Sequence, residues 1–182
     1  MIARIAMRTL AVLAGLLAAF LAVGVVLPKE VTVHRSIDID ATPEQIFEYL
    51  VHLDAWTEWT PWGAVESQLE GAESGPGATR TWDDPTLGSG SLTIVEATPP
   101  TGLTYEAQVE DGAIRFHGDF QISSNAERAS PSTGSTVTWT ETARWGLNPL
   151  LGWNGLSLED RQGDQLQQSL KALREVVTAA GR

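Results

Sequence analysis

The chain has 182 residues, 42% of them hydrophobic, and a net charge of −11, enough for one domain with an appendage and a core that needs no staples. It contains no cysteine, which excludes disulfides, a thiolate nucleophile and cysteine-ligated metals. The first 30 residues carry Arg4, Arg8 and Lys29 against Glu30, a balance of +2 that leaves −13 for the remainder, a charge that repels phosphate backbones and argues against nucleic acid as a partner.

The first segment is MIARIAMRTLAVLAGLLAAFLAVGVVLPKE. From Leu10 to Leu27, eighteen residues pass without a charge; as a helix they would run about 27 Å, close to the thickness of a hydrocarbon core. Arg4 and Arg8 precede the run, so the positive-inside rule places the N-terminus in the cytoplasm and the following domain on the periplasmic or extracellular side. The expectation is an N-terminal signal-anchor helix over 1–29 and a domain over 30–182. The competing reading is a cleaved signal peptide, for which Ala22-Val23-Gly24 offers a small-x-small site. Against it, the apolar run continues through Val25, Val26 and Leu27. Gly15 and Gly24 form no GxxxG pair, so nothing suggests helix dimerisation.

VTVHRSIDI, 31–39, alternates Val31, Val33, Ile37 and Ile39 and reads as a strand. In ATPEQIFEYLVHL, Thr42 can cap a helix, Pro43 suits its first position, and Gln45 completes a capping box. Ile46, Phe47, Leu50 and Leu53 then share one face. DAWTEWTPW, 54–62, predicts a second short helix stopped near Pro61; Trp56, Trp59 and Trp62 are three apart and in a helix would line one stripe. Strands are predicted near 64–70, 77–83, 89–97, 102–110, 113–123 and 134–145, separated by turn formers. Leu103, Tyr105, Ala107 and Val109 alternate, as do Ile114, Phe116, Gly118, Phe120 and Ile122. EDG, 110–112, and SNAERASPSTGS, 124–135, are read as hairpin loops, the second long, polar and mobile.

The closing stretch NGLSLEDRQGDQLQQSLKALREVVTAA predicts one long helix capped by Asn154 or Ser157. Leu156, Gly163, Leu166, Leu170, Leu173 and Val177 recur near spacings of three and four. Gly163 costs about 1 kcal/mol relative to alanine inside a helix, and such a glycine often marks a close approach to the backbone.

Glu141 stands out in STVTWTETARW, 135–145. Val137, Trp139, Ala143 and Trp145 share one face, threonines take the other, and Glu141 falls with the tryptophans. Burial would raise its pKa. The leading expectation is an ion pair with Arg80, which shares a strand face with Trp82. The other roles are anchoring a polar group of a ligand and acid–base catalysis. His34, His52 and His117 are scattered on wet faces, without metal-ligand spacing. Glu159, Asp160 and Asp164 suit a helix N-terminus. No phosphate loop or nucleophile elbow is present, and neither metal nor cofactor is expected.

The order strand, two helices, six strands, long helix is similar to the START-like, helix-grip superfamily (SRPBCC), in its polyketide cyclase/dehydrase-like branch. The features that carry the resemblance are VHRSIDIDATPEQIFEYLVHLDAWTEWTPW, TRTWDDPTLGSGSLTIVEATPP, STVTWTETARW and LQQSLKALREVV, and it extends from about Val31 to Ala180. It implies an α+β helix-grip fold: a curved antiparallel sheet of about seven strands wrapped around a long C-terminal helix, with two short helices after the first strand. It also implies a cavity between sheet and helix, where many relatives bind hydrophobic molecules and some act as enzymes. On that reading the ligand wall comprises Trp59, Trp82, Phe116, Trp139, Glu141, Gly163, Leu166 and Leu170, and Glu141 is the sole catalytic candidate. The expected function is a membrane-anchored domain that binds a small hydrophobic molecule or lipid and meets the membrane through Leu10 to Leu27. The alternatives are a cyclase or dehydratase using Glu141 as acid or base, and an interaction module whose cavity is filled.

Overall fold

The computed structural model describes residues 2–85, 88–125 and 134–181; most of the loop expected at 124–135 lies outside them. Helix α1, Ile2–Val26, is long and apolar enough over Arg4–Val26 to cross a membrane, and almost none of that stretch is buried. The same length and composition suit a signal sequence. After a three-residue link β1 begins, Glu30–Ile39, followed by α2, Pro43–Val51, α3, Trp56–Trp59, and a 3-10 turn, Pro61–Ala64. Six strands follow: β2, Ser67–Gly71; β3, Ala78–Asp84; β4, Gly88–Thr98; β5, Gly102–Val109; β6, Ile114–Ser124; and β7, Ser135–Trp145. The chain closes with α4, Pro149–Gly155, and α5, Leu158–Ala180.

The strands form one antiparallel sheet in the order β1-β7-β6-β5-β4-β3-β2. Its inner face is set by period-2 alternation: on β7, Ser135, Val137, Trp139, Glu141, Ala143 and Trp145 are all buried, while the residues between them are not. A register shift between Ile94 and Glu96 interrupts the β4–β5 ladder, a bulge of the kind that bends a strand and sharpens its twist. The bowed sheet holds α5, whose buried stripe is Gly163, Leu166, Ser169, Leu170, Leu173 and Val177. A bowed antiparallel sheet closed on a long C-terminal helix is the architecture that the resemblance implied.

The capping box of α2 forms as read. Thr42 Oγ1 accepts from the Gln45 amide at 3.4 Å, and Gln45 Oε1 accepts from the Thr42 amide at 3.0 Å. The Trp56 indole N–H donates to the Leu50 carbonyl at 3.0 Å and ties α3 to α2. The tryptophan stripe is divided, because the helix ends at Thr60 before Pro61. Trp56 and Trp59 enter the core, and Trp62 stays half-buried.

The closing helix differs from expectation. A separate α4 precedes it, capped by Asn148, whose Oδ1 accepts from the Leu150 amide at 3.0 Å, with Pro149 at the first position. Ser157 holds the cap position of α5 but makes no side-chain cap bond. Helix α4 packs on α1. The rings of Phe20 and Trp153 stack 4.9 Å apart and 3° from parallel, and the Trp153 indole N–H donates to the Phe20 carbonyl at 3.1 Å. Gly152 and Gly24 lie so close that a Cβ on either would overlap the other helix's backbone.

Candidate functional site

Between the inner face of the sheet and the first half of α5 lies a cavity of about 320 Å³. Its wall is built from Trp82 of β3, Leu92 of β4, Tyr105, Ala107 and Val109 of β5, Ile114 and Phe116 of β6, and Trp139 and Glu141 of β7. Gln162, Gln165, Leu166 and Ser169 of α5 face them, and Trp56, Thr60, Pro61, Trp62 and Val65 close the remaining side. Trp62 lies 4.5 Å from Trp82, ring to ring. The lining is mostly apolar, with a polar centre at Glu141, as small-molecule sites commonly are.

That centre is organised by a row across three strands. Tyr105 on β5 is paired with Gly118 on β6, and Gly118 with Glu141 on β7. A Cβ at Gly118 would overlap the Tyr105 ring. Its absence lets the phenol lie across β6 and donate its O–H to Glu141 Oε2. The Trp139 indole N–H in turn donates to the Tyr105 oxygen at 3.0 Å, and Gln162 of α5 donates to Glu141 Oε1. Each carboxyl oxygen therefore has one protein donor.

Burial raises the Glu141 pKa, and the hydrogen bonds from Tyr105 and Gln162 oppose the rise without cancelling it. Burial, reinforced by the neighbouring carboxylate, holds the Tyr105 phenol well above its ordinary pKa, so it stays a neutral donor. Among the described residues Glu141 has no cationic partner. Chemically the group is a desolvated carboxyl, its ionised form disfavoured by burial, that faces an apolar hollow.

The expected ion pair with Arg80 does not form. Strand β3 is separated from β7 by β4, β5 and β6, about 19 Å across a flat sheet at ~4.8 Å per strand. Arg80 is instead buried, donating to Ser67 Oγ of β2 at 2.5 Å and to the carbonyl of Leu53, in the link between α2 and α3. Of the residues expected in the ligand wall, Trp82, Phe116, Trp139, Glu141 and Leu166 line the cavity. Trp59 stands behind it, 5.9 Å from Trp139 and 6.0 Å from Phe120. Leu170 lies in the core further along α5. Gly163 faces β1, where the Arg35 guanidinium occupies the space a Cβ would fill. Sequence reasoning missed Tyr105, although its place on the alternating face of β5 was visible. It also missed Gln162, for which the sequence carries no signal.

A larger depression, about 670 Å³, lies on the other face of the sheet. Ser91, Thr93, Glu106, Gln108, Arg115 and His117 line it; its charged groups are solvated, and it has no buried carboxyl. The inner cavity is the better site.

A family model described as polyketide cyclase / dehydrase and lipid transport matches residues 30–178, and the chain belongs to that family. No curated protein matches the chain. Among solved structures, norcoclaurine synthase from Thalictrum flavum aligns over 84% of this chain and 97% of its own, with a TM-score of 0.61 at 8% identity. The di-domain ARO/CYC StfQ from the steffimycin biosynthetic pathway aligns over 84% of this chain and 52% of its own, with a TM-score of 0.61 at 14% identity. A protein from Thermobifida fusca aligns over 80% of this chain and 92% of its own, with a TM-score of 0.55 at 21% identity. These likenesses concern the fold.

Proposed function

We propose that this member of the polyketide cyclase / dehydrase and lipid transport family is a membrane-anchored binding domain. Residues 1–29 hold it in the bilayer with the N-terminus cytoplasmic. Residues 30–182, on the far side, take up a small hydrophobic or amphipathic molecule, a lipid among the candidates. The observation that carries this reading is the apolar hollow against α5 with a single carboxyl in its wall. Desolvated apolar surface supplies the affinity, and Glu141 meets one polar group of the ligand. Its two oxygens already accept from Tyr105 and Gln162, which favours recognition over proton transfer and places the cyclase reading second. The volume weighs against a filled interaction module.

The test uses the full chain in nanodiscs and a fluorescent fatty acid added at increasing concentration. Saturable binding is expected, and it should be abolished by Ala107→Trp, which fills the hollow from β5. Binding that is absent, or unchanged in the Ala107→Trp chain, would count against the cavity.

A further inference from the structure

From Gly146 to Ser157 the chain reads GLNPLLGWNGLS, without a charged residue, in a protein whose net charge is −11. This stretch contains α4, and its leucines are not in the core: Leu147 is 73% exposed, Leu150 56% and Leu156 60%. Exposed leucines this close together, on a domain otherwise well coated with charge, mark a surface that meets something apolar. The position of α4 says what. Trp153 is stacked on Phe20 and bonded to its carbonyl, and Gly152 abuts Gly24. Phe20 lies six residues inside the end of α1 at Val26, which is about 9 Å along the helix axis. A helix clasped to the last turns of a membrane span is carried to the depth of those turns.

We propose that residues 146–157 are a second membrane contact, with Leu147, Leu150 and Leu156 in the boundary between headgroups and acyl chains and Trp153 at the interface beside Phe20. The inference rests on the reading of α1 as a membrane span. Because the stretch is uncharged, the contact is hydrophobic and insensitive to salt. It also sets the direction in which the cavity faces. The Trp145 amide, at the end of β7, donates to the Lys29 carbonyl at 3.0 Å, and Trp145 is paired with Ile114 of the cavity wall. The wall residues Val109, Ile114 and Phe116 thus sit at the end of the sheet nearest α1 and α4, where a ligand leaving the bilayer arrives first.

The natural chain has no cysteine, so single nitroxide labels can be placed in the full-length protein. Leu150→Cys and Leu156→Cys alter exposed positions and leave the core intact. Leu17→Cys reports the middle of α1, and Leu69→Cys an exposed leucine on β2. In phosphatidylcholine liposomes, labels at 17, 150 and 156 should be relaxed more by oxygen than by a water-soluble nickel chelate, at low and high salt alike; the label at 69 should show the reverse. Lipid exposure at 17 with water exposure at 150 and 156 overturns this inference and leaves the span standing. Water exposure at 17 overturns both. Shielding of 150 and 156 from both reagents, with spin–spin broadening, shows that a second copy of the chain covers the patch and also overturns the inference.

Discussion

Tyr105 and Glu141 are hydrogen-bonded although a whole strand runs between them. The residue on that strand is Gly118, and the lane it leaves open across β6 is the only reason the phenol reaches the carboxyl. The pair, with Trp139 and Gln162, converts an awkward buried acid into a satisfied one.

Closing that lane should dismantle the site. In Gly118→Ala the new methyl overlaps the Tyr105 ring, which must swing away and release Glu141 Oε2. The cost expected is about 1–3 kcal/mol, as for other overpacked cores, read from the shift in denaturant midpoint. Tyr105→Phe, which leaves the carboxyl oxygen and the Trp139 N–H without a partner, should cost about 1–3 kcal/mol as well. A midpoint unchanged in Gly118→Ala would show that the row does not hold the ring.

Glu141 also makes stability depend on pH. Its folded pKa is raised by burial, so the folded chain binds more protons than the unfolded chain between the ordinary carboxylate value and the raised one. Stability is therefore fully present below the ordinary value and declines as pH rises through the folded pKa. The difference in thermal midpoint between the natural protein and Glu141→Gln should shift against the natural protein as pH rises across that range. An identical slope in both proteins would remove Glu141 as its source.

Arg80→Met tests the separation of the two buried polar groups. The substitution strips the Leu53 carbonyl and Ser67 Oγ of their donor, and about 1–3 kcal/mol of stability should go with it. Because Arg80 does not reach Glu141, the pH slope just described should survive intact. A slope that changes in Arg80→Met would mean the two groups communicate after all.

Thr42→Ala should cost about 1 kcal/mol by removing one half of the capping box of α2. Gln45→Ala should cost less, since the Thr42 side chain keeps its bond to the residue 45 amide. Urea denaturation of the two single variants gives the comparison; equal losses would show that the two halves of the box hold the helix end equally.

The strands along the chain and their inward faces were legible because alternation has a period that sequence displays directly. The placement of Trp82, Trp139 and Glu141 on the inner face follows from it. Partnership was not legible. Arg80 and Glu141 share a face, and face is all that periodicity reports; the strands between them emerge only from topology. Gly118 was visible in the alternating row of β6, yet a glycine there signals a gap without saying which side chain fills it. Helix α4 was missed, because the long helix was read as starting at Asn154 or Ser157 and no element was assigned before it, although Asn148-Pro149 supplies both a cap and a first-turn proline. The stop near Pro61 was legible, and it limits the tryptophan stripe to Trp56 and Trp59, because Trp62 lies beyond it.

Only Leu27, Pro28 and Lys29 lie between the end of α1 and the start of β1, and α4 grips α1 from the other side. Such a join has no slack. If α1 is the anchor and the hollow the ligand site, as proposed, the bowl cannot sweep an arc on a leash to meet an acceptor some distance away; a bound molecule would have to depart under its own diffusion, or be collected by something that comes to it.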